Sequence, residues 1–490
     1  MEYLFFGLAI ALVIGFEFVN GFHDTANAVA TVIYTNTLKP VHAVVWSGIW
    51  NLIGVLTSSG TVAFAIIALL PVELIVNVSS GQGLVMTLAL LSSAIIWNLG
   101  TWYLGLPVSS THSLIGAIMG IGIAHSFVSA EPWWDGINWL KTQEVLLSLV
   151  ISPLAGFLGA ALLFLAAKGL IKQDELYTAP EDKVPSLWVR GILILTCTGV
   201  SFAHGSNDGQ KGMGLMMLVL IAILPSLFSL NMDTSPQAIA QLVATSNAVI
   251  PILESQTRNY THDQSSQQSR DHLIDFLKPQ GQVNKDIWQA LIAESQVITK
   301  SLVNNHSFLD LEASDRHELK NDIDLVASTI TKLAKQEKLA NIPEHSLLID
   351  YRKQLDQISK FIPYWVKITV ALALGLGTMV GWKRVVVTVG EKIGEEHLNY
   401  AQGAAAELIT MSTISAADYF GLPVSTTHIL SSGIAGSMVA NRSGLQMNTL
   451  KNLLLAWILT LPVCTILGFS TYVIALFLMQ MPMKSAIFIN

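Results

Sequence analysis

Gly105-Leu-Pro-Val-Ser-Ser-Thr-His112 returns as Gly421-Leu-Pro-Val-Ser-Thr-Thr-His428, identical at seven of eight positions, and each copy follows one apolar stretch and opens another. Backbone that leaves the helix inside a bilayer is tolerated only where protein covers it or it lines a cavity. Both copies carry the residues of such a break. Gly105 ends a helix, Pro107 suits a first-turn position where its missing N–H costs nothing, and the Ser and Thr run supplies caps. A helix then starts within the membrane. Its first turn offers free N–H groups, the positive end of the helix dipole and the hydroxyls of Ser109, Ser110 and Thr111, which together make an anion site. The second copy contributes Ser425, Thr426 and Thr427, and two half-helices meeting near the midplane would cradle one oxyanion. The competing reading, in which these hydroxyls bond back to carbonyls or tie helices together, accounts less well for a matched pair of clusters each preceded by Gly-x-Pro.

A looser pair aligns Gly21-Phe-His-Asp24 with Gly205-Ser-Asn-Asp208. The two motifs stand 84 residues apart in the first half, from 21 to 105, and 216 apart in the second, from 205 to 421, a difference of 132. An interval from Asn231 to Lys360 accounts for it: this segment holds 13 Lys or Arg and 17 Asp or Glu of the chain's 61 charged residues, so it must lie in water. The chain therefore reads as two copies of one membrane unit, the second split by a soluble insertion. Its divisions are 1–187 for the first repeat, 188–231 for the start of the second, 232–361 for the insertion and 362–490 for the remainder. Leu319, Ile323, Val326, Ile330 and Leu333, then Leu348, Tyr351, Leu355 and Ile358, step by three and four, so the insertion is expected to be a small helical bundle with loops at 256–270 and 279–281.

Composition agrees. Of 490 residues 52% are hydrophobic and 12% charged, about half the charge of a soluble domain, and mean hydropathy is +0.53. Apolar stretches at 3–20, 41–70, 83–104, 106–128, 144–168, 188–204, 212–231, 362–382, 401–417, 423–440 and 450–480 predict an all-α polytopic membrane protein with about ten to twelve segments in two repeats with broken or re-entrant helices. The first stretch lacks a preceding Lys or Arg and runs into a polar motif, so it is read as a retained helix rather than a signal peptide. Lys168, Lys172, Lys183 and Arg190 mark one cytoplasmic loop and Lys383, Arg384 and Lys392 another; the insertion is assigned to the same side. A net charge of −7 gives no basic surface for nucleic acid. Cys197 and Cys464 lie in apolar runs without metal-ligand spacing, which excludes disulfide and zinc scaffolds. No P-loop, zinc signature or nucleophile elbow is present, so an enzyme is not expected.

The second motif brings acids into the apolar zone. Glu17, Asp24 and Asp208 must pair, bind a cation or take up a proton to be tolerated there. A dianion entering beside these carboxylates, with only neutral hydroxyls and dipoles as donors, would be repelled unless protons or cations arrive with it. Neutral donors alone would also release it more readily than arginines. Glu17 and Lys211 suit an ion pair or an interfacial role as well as a direct one, and His112 and His428 read as interior histidines before proton carriers.

Gly21-Phe-His-Asp-Thr-Ala-Asn-Ala28, Gly205-Ser-Asn-Asp-Gly-Gln-Lys211 and the paired Pro-Val-Ser-(Ser/Thr)-Thr-His segments resemble the inorganic phosphate transporter (Pit) family, most closely its bacterial low-affinity members, over both membrane halves. The resemblance implies an inverted repeat, often a homodimer, in the cell inner membrane, carrying inorganic phosphate by alternating access. It implies phosphate contacts at Ser109, Ser110, Thr111, Ser425, Thr426 and Thr427 and ion coupling at Asp24, Asn27, Asn207 and Asp208. The family pattern has Asn where His23 stands, and Val-Ala-Asn where Gly209-Gln210-Lys211 stands. Those lost amides and the Lys211 charge argue against sodium and for protons, with His23, Gln210, Lys211, Glu17, His112 and His428 as accessory positions. No fixed metal or cofactor is implied, although a divalent metal such as magnesium or calcium would travel with phosphate as a neutral complex. The alternatives are a sulfate or other oxyanion permease of the same fold, sodium-coupled phosphate symport, and an uncoupled anion channel.

Overall fold

In the computed structural model the apolar stretches become helices that pack through small residues, as helices must when lipid supplies no hydrophobic drive between them. The structure describes residues 2–70, 81–180, 184–257, 266–278, 280–340 and 342–487, and all regular elements there are helical. Lys183, Pro279 and residues 258–265 of the expected 256–270 loop lie outside the described residues, and 266–270 are helix rather than loop.

The first half contains α1 (Glu2–Asp24), α2 (Ala26–Tyr34), α3 (Pro40–Thr57), α4 (Thr61–Ile67), α5 (Gly81–Tyr103), α6 (Ser110–Val128) and α7 (Trp139–Leu170). The second opens with α8 (Leu187–Ile223), so the stretches at 188–204 and 212–231 are not two segments. One 37-residue helix runs through the Gly205 to Lys211 motif without a break. The low helix propensity of Gly, Ser and Asn is overridden there by burial on all sides. After the insertion come α15 (Tyr364–Thr378), α16 (Lys383–Glu391), α17 (Tyr400–Tyr419), α18 (Thr426–Asn441) and α19 (Met447–Ile487). Seven helices among the described residues are long and apolar enough to cross a bilayer, α1 with α2 counting as one. The expected ten to twelve segments also took in the shorter α15 and α18, with 15 and 16 residues.

Packing is reciprocal between halves. Helix α6, itself one of the seven long enough to span, lies on α19 of the other half, and the shorter α18 lies on α7. Glycine is required at both crossings: a Cβ on Gly120 would sit 2.0 Å from the Thr465 carbonyl oxygen, and one on Gly436 2.1 Å from that of Phe157. Likewise α1 packs on α15, and α8 approaches α3 at Gly205 against Asn51. Leucines such as Leu147, Leu154 and Leu162 on α7 stay exposed, as a lipid-facing side should.

Contacts divide the chain into two compact units, one built on Met1–Leu70, Val85–Met216 and Pro363–Asn490, the other containing Met217–Ile362. The second holds α9 (Pro225–Phe228), α10 (Pro236–Glu254), α11 (Ser266–Leu277), α12 (Lys285–Leu302), α13 (Ala313–Lys335) and α14 (His345–Ser359). Its core is formed by the apolar stripes seen in the sequence, with Leu319, Ile323, Val326, Ile330, Leu333, Leu348, Tyr351, Leu355 and Ile358 all buried.

Candidate functional site

The two repeated turns are built bond for bond alike. Gly105 (φ +68°) and Gly421 (φ +65°) adopt the left-handed conformation that ends α5 and α17. Leu106 N–H donates to the Thr101 carbonyl (2.9 Å) and Gly105 N–H to that of Trp102 (2.9 Å), while Leu422 donates to Ala417 (2.8 Å) and Gly421 to Asp418 (3.0 Å). Pro107 does not occupy the first helical turn, contrary to the sequence expectation. The chain stays extended until Ser109, whose hydroxyl accepts the His112 N–H (3.1 Å) and so takes the cap. Ser425 caps α18 through the His428 N–H (3.2 Å) in the same way. With Ser109 and Ser425 occupied as caps, the N–H groups of the next two residues in each helix have no intrahelical acceptor.

Both helix starts converge on Asp24. Ser110 of α6 donates to its Oδ2 (3.3 Å) and Thr427 of α18 to its Oδ1 (2.8 Å). Thr111 Oγ1 donates to the Val424 carbonyl (2.8 Å), pinning the start of α6 to the turn before α18. Asn27 Nδ2 donates to the hydroxyls of Thr426 (3.1 Å) and Thr427 (3.0 Å). Asn207 Nδ2 holds the Leu422 carbonyl (3.2 Å), and its Oδ1 is buried without a partner. Asp24, Asn27, Asn207, Asp208, Ser110, Thr111, Thr426 and Thr427 are all at most 2% exposed.

The expectation that only neutral donors gather at the two helix starts does not hold. Lys211, fully buried, donates from Nζ to Asp208 Oδ2 (2.6 Å), Thr111 Oγ1 (2.8 Å) and Ser110 Oγ (3.2 Å). Positions 208 and 211 are three apart on a continuous helix, so they share a face. Glu17 packs against Gly212 and its buried carboxylate has no hydrogen-bond partner, so Lys211 pairs with Asp208 rather than with it.

His204, one turn before Asp208, is a site residue that the sequence alone did not single out. Its Nδ1 lies 2.6 Å from Asn51 Oδ1, and its Nε2 lies 3.4 Å from Asp208 Oδ2 and 3.7 Å from Asp24 Oδ2. His23 Nδ1 lies 3.2 Å from Asp24 Oδ1. Asp24, His204 and Asp208 each offer one ligand atom, all within 4.8 Å of one another, a set that could hold a metal ion. The spacing 204, 208, 211, which puts the three on one face of a continuous helix, was the available signal.

Three accessory positions fall elsewhere. Gln210 turns away, accepting the Val62 N–H (2.9 Å) at the start of α4 and donating to Asp418. The rings of His112 and His428 lie tilted against each other, centroids 4.7 Å apart, and His428 stacks on Trp457 at 4.0 Å. Glu407, also unforeseen, is a fully buried acid that accepts the hydroxyls of Thr31 and Thr196.

Residues 20–468 match the phosphate transporter family. The chain is 40% identical to the low-affinity inorganic phosphate transporter PitB of Escherichia coli (strain K12) over 491 residues, 96% of each chain. It is 38% identical to PitA of the same organism over 488 residues, again 96% of each, and 26% identical to a probable low-affinity inorganic phosphate transporter of Bacillus subtilis (strain 168), covering 95% of this chain and 96% of that one. A solved structure titled the sodium-dependent phosphate transporter aligns with TM-score 0.53 and 19% identity over 96% of this chain and 98% of that one, a likeness of fold.

Proposed function

The chain belongs to the phosphate transporter family, and on that premise we propose that it is a secondary carrier that moves inorganic phosphate across the cell inner membrane with protons, by alternating access. One observation carries the reading: a single buried carboxylate, Asp24, receives a hydroxyl from each of the two half-helices. An oxyanion seated at those helix starts competes with Asp24 for the same donors. Protonation resolves the competition, because a neutral carboxyl releases acceptor sites and becomes a donor to the anion. Binding of proton and phosphate is therefore linked, each favouring the other.

Hydrogen phosphate also keeps a proton to donate to a carboxylate, whereas sulfate can only accept, which favours phosphate over the sulfate reading. Asp24, His204 and Asp208 lie close enough to share a divalent metal travelling with phosphate, although the Lys211 ammonium already on Asp208 opposes a second cation there. The nitrogen of His204 in that set suits a transition metal better than magnesium or calcium.

Radiolabelled phosphate uptake into proteoliposomes, with pH, sodium and magnesium varied one at a time and sulfate as competitor, tests the proposal. Accumulation against a phosphate gradient under an imposed pH difference, with weak sulfate competition, is the expected result. Strictly downhill flux, indifferent to the pH difference, would favour a channel.

A further inference from the structure

The internal repeat aligns Asp24 with Asp208 and therefore Asn27 with Lys211. The structure keeps this correspondence in space. Asn27 donates to Thr426 and Thr427 at the start of α18, and Lys211 donates to Ser110 and Thr111, the matching positions of α6. A neutral amide and an ammonium thus hold equivalent places.

The ammonium's surroundings are unusual for a structural salt bridge. The first turn of a helix is the positive end of its dipole, where a cation is disfavoured, and burial removes the water that would solvate it. Its oxygens are a carboxylate from Asp208 and two hydroxyls, the hard donor set that suits a bound alkali or alkaline-earth ion. The second carboxylate oxygen of Asp208 is buried without a partner, as is the Asn27 amide oxygen in the other half.

We propose that Lys211 is a resident cation: its ammonium takes the place a mobile cation would need between Asp208 and the start of α6, and so closes this half of the site to sodium. It acts as a specificity-determining residue for the coupling ion. The inference rests on the carrier reading only for its transport readout, since sodium occupancy is measurable without transport.

The test is Lys211→Asn, which gives the second half the residue of the first. The ratio of phosphate uptake in sodium to uptake in choline should rise by about tenfold over that of the wild type, equivalent to 1.4 kcal/mol, while Lys211→Arg keeps the wild-type ratio. Purified Lys211→Asn should also bind one sodium ion more than the wild type, measured with radioactive sodium in detergent, and should melt higher in sodium than in choline. Equal sodium binding by variant and wild type overturns the proposal even where the variant transports nothing. Equal uptake ratios in an active variant overturn it as well. If the wild type itself carries no phosphate, the carrier reading fails, and the sodium-binding comparison still decides the role of Lys211.

Discussion

The two half-sites share a backbone and differ in charge. Each has a left-handed glycine, an extended Pro-Val step, a serine cap and two further hydroxyls. The first copy of the acidic motif meets the second turn with an amide, and the second copy meets the first turn with an ammonium. Helix starts are held by backbone geometry and small side chains, so duplication preserves them. The groups that set ion chemistry are single side chains on a supporting helix and change without disturbing it.

The largest expected effects separate the two aspartates. Asp208→Asn leaves the Lys211 ammonium buried without its counter-charge, which should cost about 3 to 5 kcal/mol, read as lost folded protein or a lowered melting temperature. Asp208→Asn with Lys211→Met should recover much of it. Asp24→Asn, whose neighbours are hydroxyls and imidazoles, should stay folded and lose coupled uptake. Equal destabilisation by both would break the comparison.

The hydroxyls come next. Thr427→Val and Thr111→Val should each weaken phosphate affinity by about 1 to 3 kcal/mol if a buried hydrogen bond is lost. Thr111→Val should also lower stability, because it frees the Val424 carbonyl and one acceptor of Lys211.

The smallest effect on transport lies in the insertion, which has a cation and acid group of its own. Arg270 binds Asp322 through Nε (2.7 Å) and Nη2 (3.1 Å), and Glu294 is buried beside them. Burial first, then the Asp322 charge, push Glu294 up to about 8. A carboxyl raised above its ordinary value of 4.5 contributes stability that is fully present below that pH and is lost as pH rises toward 8. Protection against hydrogen exchange in α12, taken relative to the base-catalysed intrinsic rate, should therefore fall between about pH 5 and 8, and Glu294→Gln should flatten that trend with phosphate uptake unchanged.

What the sequence disclosed follows the range of the forces involved. Glycine, serine cap and apolar period act over a few residues, so both turns and the insertion's stripes could be read directly. Pro107 was misplaced because Ser109 competes for the cap. Lys211 and Gln210 are neighbours in sequence, and which one faces Asp208 depends on whether the motif is helix or loop. The polar residues between the apolar stretches 188–204 and 212–231 left that open; packing of Gly205 against α3 holds the motif within one helix. His204 was lost by the same step, since its i, i+4 relation to Asp208 exists only on a continuous helix.

A density map of the protein with phosphate bound tests the central claim most directly. The account predicts one tetrahedral feature beside Asp24, within hydrogen-bond reach of Ser110 or Thr111 on α6 and of Thr426 or Thr427 on α18. Phosphate held away from either helix start, with the Asp24 hydroxyl bonds intact, would contradict it.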